Sequence, residues 1–123
     1  MEKALNYTEN DLDKAITEYL RWALPRDAVS FHIPNGGYKL SGKELGRLKA
    51  SGYVAGIPDR CVMWNGIICW IEIKRLNGRL NPAQVDMFLR FERAGFPVTI
   101  ARSIEDVRDA LKFAGIPINN MLL

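Results

Sequence analysis

"GIPDRCVMWNGIICWIEIKR", residues 56–75, sets one acid near the start of an apolar run and an acid with a lysine near its end. Asn65-Gly66 interrupts the run. Asn-Gly between two apolar segments is a strong short-range sign of a β-hairpin closed by a two-residue type I′ turn. Such a loop pairs Trp64 with Ile67, and counting back along both strands brings Asp59 opposite Glu72, with Cβ atoms about 5 Å apart on one face. Lys74 lies two residues beyond Glu72 and points to that same face. The rest of that face (Cys61, Met63, Ile68, Trp70) is apolar, and so is most of the other (Val62, Trp64, Ile67, Cys69, Ile71, Ile73). The hairpin therefore reads as central in its sheet, covered on both sides.

Two carboxylates opposed in a buried sheet repel each other, and each loses hydration worth several kcal/mol unless it is neutralised. A shared proton or Lys74 alone can offset this. A divalent cation does so best, because hard oxygen ligands at this separation suit Mg²⁺, with Mn²⁺ able to substitute. The plainer alternative places Asp59 in a Pro-Asp turn and pairs Lys74 with Glu72 at a sheet edge. The Gly-Ile-Pro approach to Asp59 and the Glu-x-Lys spacing weigh against it.

Outward from the hairpin, the chain alternates helices and strands. Thr8 is placed to cap a first helix, with Asp11 in the capping-box position, and Leu12, Ala15, Ile16, Tyr19 and Leu20 recur at helical spacing until Pro25. "AVSFHI" reads as a strand stopped by "PNGG", and residues 42–51 as a short basic helix ended by Gly52. Beyond the hairpin, Asn81 caps a helix that begins at Pro82 and stops at Gly95. "FPVTIA" is a further strand, and Ser103 opens a last helix closed by Gly115. The expected fold is α/β: one mixed sheet flanked by helices, in a single domain over residues 1–123 with its core at about 8–114 and a tail at 115–123.

The 123 residues, 48% of them apolar and 25% charged, can bury one core. No apolar run approaches the roughly 20 residues that span a bilayer, and "MEKALNYTENDLDK" is too polar for a secretory signal, so a cytoplasmic protein is expected. Cys61 and Cys69 are expected to be buried thiols. The net charge of +3 is unevenly spread. Lys39, Lys43, Arg47 and Lys49 face a single acid, Glu44, and Lys74, Arg75 and Arg79 follow later. A charge run is by itself usually a solvated surface.

"GIPD" followed by a hairpin into "IEIK" resembles the active-site pattern of the PD-(D/E)xK nuclease superfamily. The longer "GIPDRCVMWNGIICWIEIKRLNGRLNPAQ" resembles one branch, the VRR-NUC (virus-type replication-repair nuclease) family, and the resemblance runs from about Thr8 to Phe113. It implies a restriction-endonuclease-like αβββαβ core. It also implies a metal site held by Asp59, Glu72 and the backbone carbonyl of Ile73, Lys74 as the group that orients or activates the attacking water, and Gln84 beside the site. The family's first-helix acid is matched best by Glu9. Asp13 stands where the family often has glutamine, and Glu18 is a third alternative. The name-giving Val-Arg-Arg motif is not evident.

Carboxylates, a lysine and a divalent cation are what phosphodiester hydrolysis requires. With a nuclease in view, the basic stretch from Tyr38 to Lys49, with Arg75 and Arg79, becomes an expected phosphate track, and its glycines point to a mobile loop. His32 reads as a strand residue satisfied locally, although the amides of Asn35-Gly36-Gly37 could lie near the scissile phosphate. Trp22, Trp64 and Trp70 read as core. The expected activity is a Mg²⁺-dependent structure-selective endonuclease on branched DNA, of Holliday junction resolvase type, acting as a homodimer. The dimer would form through the apolar tail (Ile116, Ile118, Met121, Leu122, Leu123) or the first helix. The alternatives are a nicking or restriction-like nuclease that needs a partner, and a non-catalytic DNA-binding module.

Overall fold

The computed structural model describes residues 7–34 and 40–119. Along the chain these form α1 (Glu9–Ala23), β1 (Val29–His32), α2 (Gly42–Ala50), β2 (Arg60–Trp64), β3 (Ile67–Ile73), α3 (Pro82–Arg93), β4 (Val98–Ala101) and α4 (Ile104–Ala114). The order of elements is that expected from periodicity and caps. Thr8 and Asp11 exchange backbone and side-chain bonds in a capping box, Asn81 and Gln84 do the same for α3, and Ser103 caps α4. Strands β1 and β4 are four residues each, shorter than the apolar runs that contain them. Cys61 and Cys69 are both buried free thiols.

The sheet has the order β1-β2-β3-β4, antiparallel except for the parallel β3–β4 pair. Trp64 pairs with Ile67 across the Asn65-Gly66 turn, where both residues have positive φ (47° and 79°) as a type I′ turn requires. The hairpin strands are central, and β4 packs parallel to β3 after the α3 crossover.

One face of the sheet carries the main core. Val62, Cys69, Ile71 and Ile73 meet Ile16, Tyr19, Leu20 and Ala23 of α1 and Val107, Ala110 and Leu111 of α4. The opposite face is covered less completely. Trp70 meets Phe91 of α3 edge-on at 5.0 Å, but Ile68 and its cross-sheet neighbours Val29 and Phe31 stay exposed. The expectation of two fully covered faces therefore holds for one face and only part of the other, because α3 spans only part of the sheet's width.

Further expectations need correction. Gly42–Ala50 is a helix, capped by Ser41 and burying no residue, so Gly42 and Gly46 do not lie in a loop. Gly36 and Gly37 fall outside the described residues. Of the apolar tail offered as a dimer surface, Ile116 is buried in the core, Ile118 packs against it, and the Asn119 amide donates to the Ala23 carbonyl. Those two isoleucines are satisfied within the fold, and Met121, Leu122 and Leu123 lie outside the described residues. Trp22 is 60% exposed on α1, where its indole donates to Glu18 at 3.2 Å. Trp64 and Trp70 are half-buried, as core residues should be.

Candidate active site

The ladder between β2 and β3 ends at Arg60 and Ile71, one pair short of Asp59 and Glu72. At the next position side chains replace the backbone rungs. The Asp59 amide donates to Glu72 Oε1 at 3.2 Å, and the Ile73 amide donates to Asp59 Oδ2 at 2.9 Å. The Asp59 carbonyl accepts from the Ile33 amide, which continues the β1–β2 pairing past His32. Asp59 is thus held from both neighbouring strands, at the end of the sheet rather than on one of its faces.

Glu72 is 1% exposed and accepts two hydrogen bonds, from Asp59 N on Oε1 and from Gln84 Nε2 (3.0 Å) on Oε2, while Lys74 Nζ forms an ion pair with Oε2 at 3.6 Å. Gln84 is fixed by its own cap, because its Oε1 accepts from the Asn81 amide at 3.0 Å while its Nε2 reaches Glu72. One side chain thereby starts α3 and orients the buried acid. Burial, then the negative charge of Asp59 and the hydrogen bond Glu72 can make to it, push the Glu72 pKa up to about 8. Lys74 and the Asp59 amide oppose the rise. The Lys74–Glu72 contact belongs to the plainer alternative, but it sits on a central strand and not at a sheet edge.

Glu9 completes the cluster. One carboxylate oxygen from each of Glu9, Asp59 and Glu72 lies within 4.8 Å of the others. Partial burial raises the Glu9 pKa; Lys74 and Arg75 work against this, while Asp59 and Asp13 add to it. The other two first-helix alternatives, Asp13 and Glu18, are engaged elsewhere. Asp13 accepts from Arg60 Nη2 at 3.0 Å, and Glu18 pairs with Arg21 and Trp22 on the exposed side of α1. Arg60 is itself 5% exposed and also donates to Thr17 Oγ1 at 2.7 Å. This buried guanidinium ties the first half of α1 to β2 and so sets where Glu9 projects. Nothing in the residue pattern marked Arg60, because its partners lie more than forty residues away.

His32 is a strand residue, as expected. It is exposed and lines a cleft of about 320 Å³ together with Glu9, Asn10, Asp13, Asp59 and Ile73. Its position at the last residue of β1, beside the start of β2, brings it there. Lys43, Arg47 and Lys49 are exposed on α2, and Arg75 and Arg79 are exposed on the loop after β3. Lys39 and the Asn35-Gly36-Gly37 amides lie outside the described residues. Arg102 went unnoticed in the sequence: its Nη1 donates to the carbonyls of Arg75, Leu76 and Gly78 at 2.7, 3.2 and 2.7 Å, pinning that loop.

The glycine of "GIPD" has a steric reason. Gly56 has φ +84° and is buried, and a Cβ there would collide with the Ala83 carbonyl and press on the Gln84 amide. Gly56→Ala is expected to cost about 3 kcal/mol and to displace Gln84 from Glu72. Gly46→Ala, in the open interior of α2 with nothing within 4 Å, should instead stabilise by about 0.5–1 kcal/mol. Thermal melts of the two variants check both signs.

Three carboxylates converging at the end of a sheet, one of them almost wholly buried, form a hard-oxygen donor set of the kind Mg²⁺ or Mn²⁺ takes. No protein-family model matches the chain, and no curated protein matches it. Solved structures of similar shape include a "VRR_NUC domain protein", at TM-score 0.70 and 21% identity over 89% of this chain and 88% of that one. Another, a "VRR_NUC domain", superposes at TM-score 0.55 and 22% identity over 86% of this chain and 97% of that one. The chain has the restriction-endonuclease-like α/β fold of VRR-NUC domain proteins.

Proposed function

We propose that the protein is a divalent-cation-dependent endonuclease that hydrolyses phosphodiester bonds of DNA. The observation that carries this reading is the meeting of Glu9, Asp59 and Glu72 within 4.8 Å, with Lys74 Nζ 3.6 Å from Glu72. The three carboxylates and the Ile73 carbonyl would hold Mg²⁺ or Mn²⁺. When bound, such an ion supplies Lewis acidity to the phosphate and makes a water nucleophilic near neutral pH. Lys74 orients that water and offsets the negative charge that grows on the phosphate in the transition state. Gln84 and the Asp59 amide keep Glu72 fixed, so the site needs little rearrangement on binding. The cations of α2 and the loop after β3 follow the phosphate backbone and add affinity that salt weakens.

Selectivity in this reading rests on DNA shape, and a branched substrate such as a Holliday junction suits a homodimer cutting symmetric strands. The exposed apolar residues Val29, Phe31 and Ile68, on the less covered face of the sheet with Met63 between Val29 and Ile68, support such a pairing. The test is to incubate the full chain with Mg²⁺ or Mn²⁺ and a four-way junction, a flap, a linear duplex and a single strand. Preferential cutting of the junction supports the resolvase reading, and equal cutting of all four removes it. Binding without cutting points to a DNA-binding module. Cutting that appears only with an added protein points to a partner-dependent nuclease.

His32 lines the cleft that holds Glu9 and Asp59, and in this reading it donates to a phosphate oxygen. His32→Ala is expected to lower cleavage about 10- to 100-fold, the worth of one hydrogen bond to a charged group. Its metal-induced stabilisation should be unchanged; equal activity in the variant would return His32 to a purely structural role.

A further inference from the structure

A second cavity, of about 430 Å³, lies on the other side of the α1 N-terminus from the His32 cleft. Tyr7, Leu12, Leu76 and Ile104 form much of its wall, and Arg75 and Arg102 stand at it. Arg75 links it to the carboxylate cluster, since it lines the cavity and its charge acts on Glu9. Arg75 follows Lys74 directly, and Tyr7 lies two residues before Glu9. The volume is that of a small-ligand site, for which about 300–1,000 Å³ is usual.

The lining selects the ligand. The walls are mainly apolar with one aromatic ring, which disfavours a phosphate stripped of water. Arg102 already gives Nη1 to three backbone carbonyls, and Glu105 adds a negative charge to the rim. A flat heterocycle suits the space better, stacked on Tyr7 or on a guanidinium plane. The three bonds from Arg102 hold the loop bearing Leu76, so that wall of the cavity is fixed.

We propose that this cavity receives one unstacked nucleobase beside the scissile phosphate. The proposal rests on the phosphodiesterase reading and sharpens it. A base that is mismatched, at a branch point or unpaired leaves its helix at least cost. A pocket for such a base next to the carboxylates therefore selects branched or unpaired DNA without reading sequence. Arg75, exposed at the rim, can contact the phosphate that follows.

The test combines a change in the pocket with a change in the DNA. Tyr7 and Leu76 are each 58% exposed, so the double variant Tyr7→Ala, Leu76→Ala should fold, and its melting temperature checks this. Cleavage sites are first mapped with the wild type in Mg²⁺ on a branched substrate. Each nucleotide flanking the cut is then replaced by a tetrahydrofuran abasic residue. At one flanking position the wild type is expected to lose about tenfold in kcat/KM, the scale of one stacked base, and the variant to lose no more than it already has on intact DNA. Equal abasic losses in both proteins, or no loss in the wild type, overturns the pocket while leaving the nuclease reading intact. A wild type that cuts no substrate at all overturns both.

Discussion

Replacing Lys74 with alanine is expected to reduce cleavage at least about a thousandfold while leaving the fold and metal binding in place. A cation aimed at charge that develops only in the transition state is worth about 10²–10³ in rate when one donor of this kind is removed, and Lys74 also holds the attacking water. Its Nζ is 3.6 Å from Glu72 Oε2, and both side chains are almost wholly enclosed, so water cannot replace the lost charge. Glu72 keeps its bonds from Gln84 and the Asp59 amide, which is why the carboxylate cluster should survive. Single-turnover cleavage and metal-dependent melting, measured on the same preparation, separate the two effects. If the variant cuts at the wild-type rate, Lys74 has no chemical role.

The second large effect is on stability. Glu72 ionises with a pKa raised to about 8 in the folded protein, against an ordinary 4.5. Between those two values the folded state holds a proton that the unfolded chain has released. Stability therefore falls as pH rises through the window, and the whole penalty is present above about pH 8. Partial burial of Glu9 acts in the same direction. The total is on the order of a few kcal/mol, or roughly 10 °C in melting temperature for a domain of this size.

A divalent cation should reverse this, because it favours the ionised carboxylates. In EDTA the protein is expected to melt lower at pH 8 than at pH 5.5. Mn²⁺ or Mg²⁺ at a hundredfold excess over its Kd should restore about 2.7 kcal/mol at pH 8 and less at pH 5.5. Glu72→Gln should flatten the pH dependence and remove the response to metal. Stability that rises with pH across this window in EDTA would show that Glu72 is already charged in the metal-free fold.

Much of the site was legible because the interactions that build it are local. A two-residue Asn-Gly turn admits one register, so the approach of Asp59 to Glu72 followed from the turn alone. The caps at Thr8, Asn81 and Ser103 were equally legible, since a short polar side chain satisfies amides only three residues away. The same locality placed Gln84 at the start of α3. It did not reveal that the unused end of that amide holds Glu72.

What only the tertiary structure decided depends on partners far apart in the chain. Glu9, and not Asp13 or Glu18, joins the carboxylates because Arg60 is buried beneath α1 and takes Asp13 as its counter-charge. An unpaired guanidinium there would carry a large desolvation cost, and no spacing within α1 expresses that constraint. His32 reaches the cleft because β1 pairs with β2, and Ile116 and Ile118 enter the core because α4 returns them to it. The hairpin determined by itself where two acids and a lysine would stand. The packing of α1 across the sheet determined which third acid meets them, because a buried charge is placed by the partner it must find.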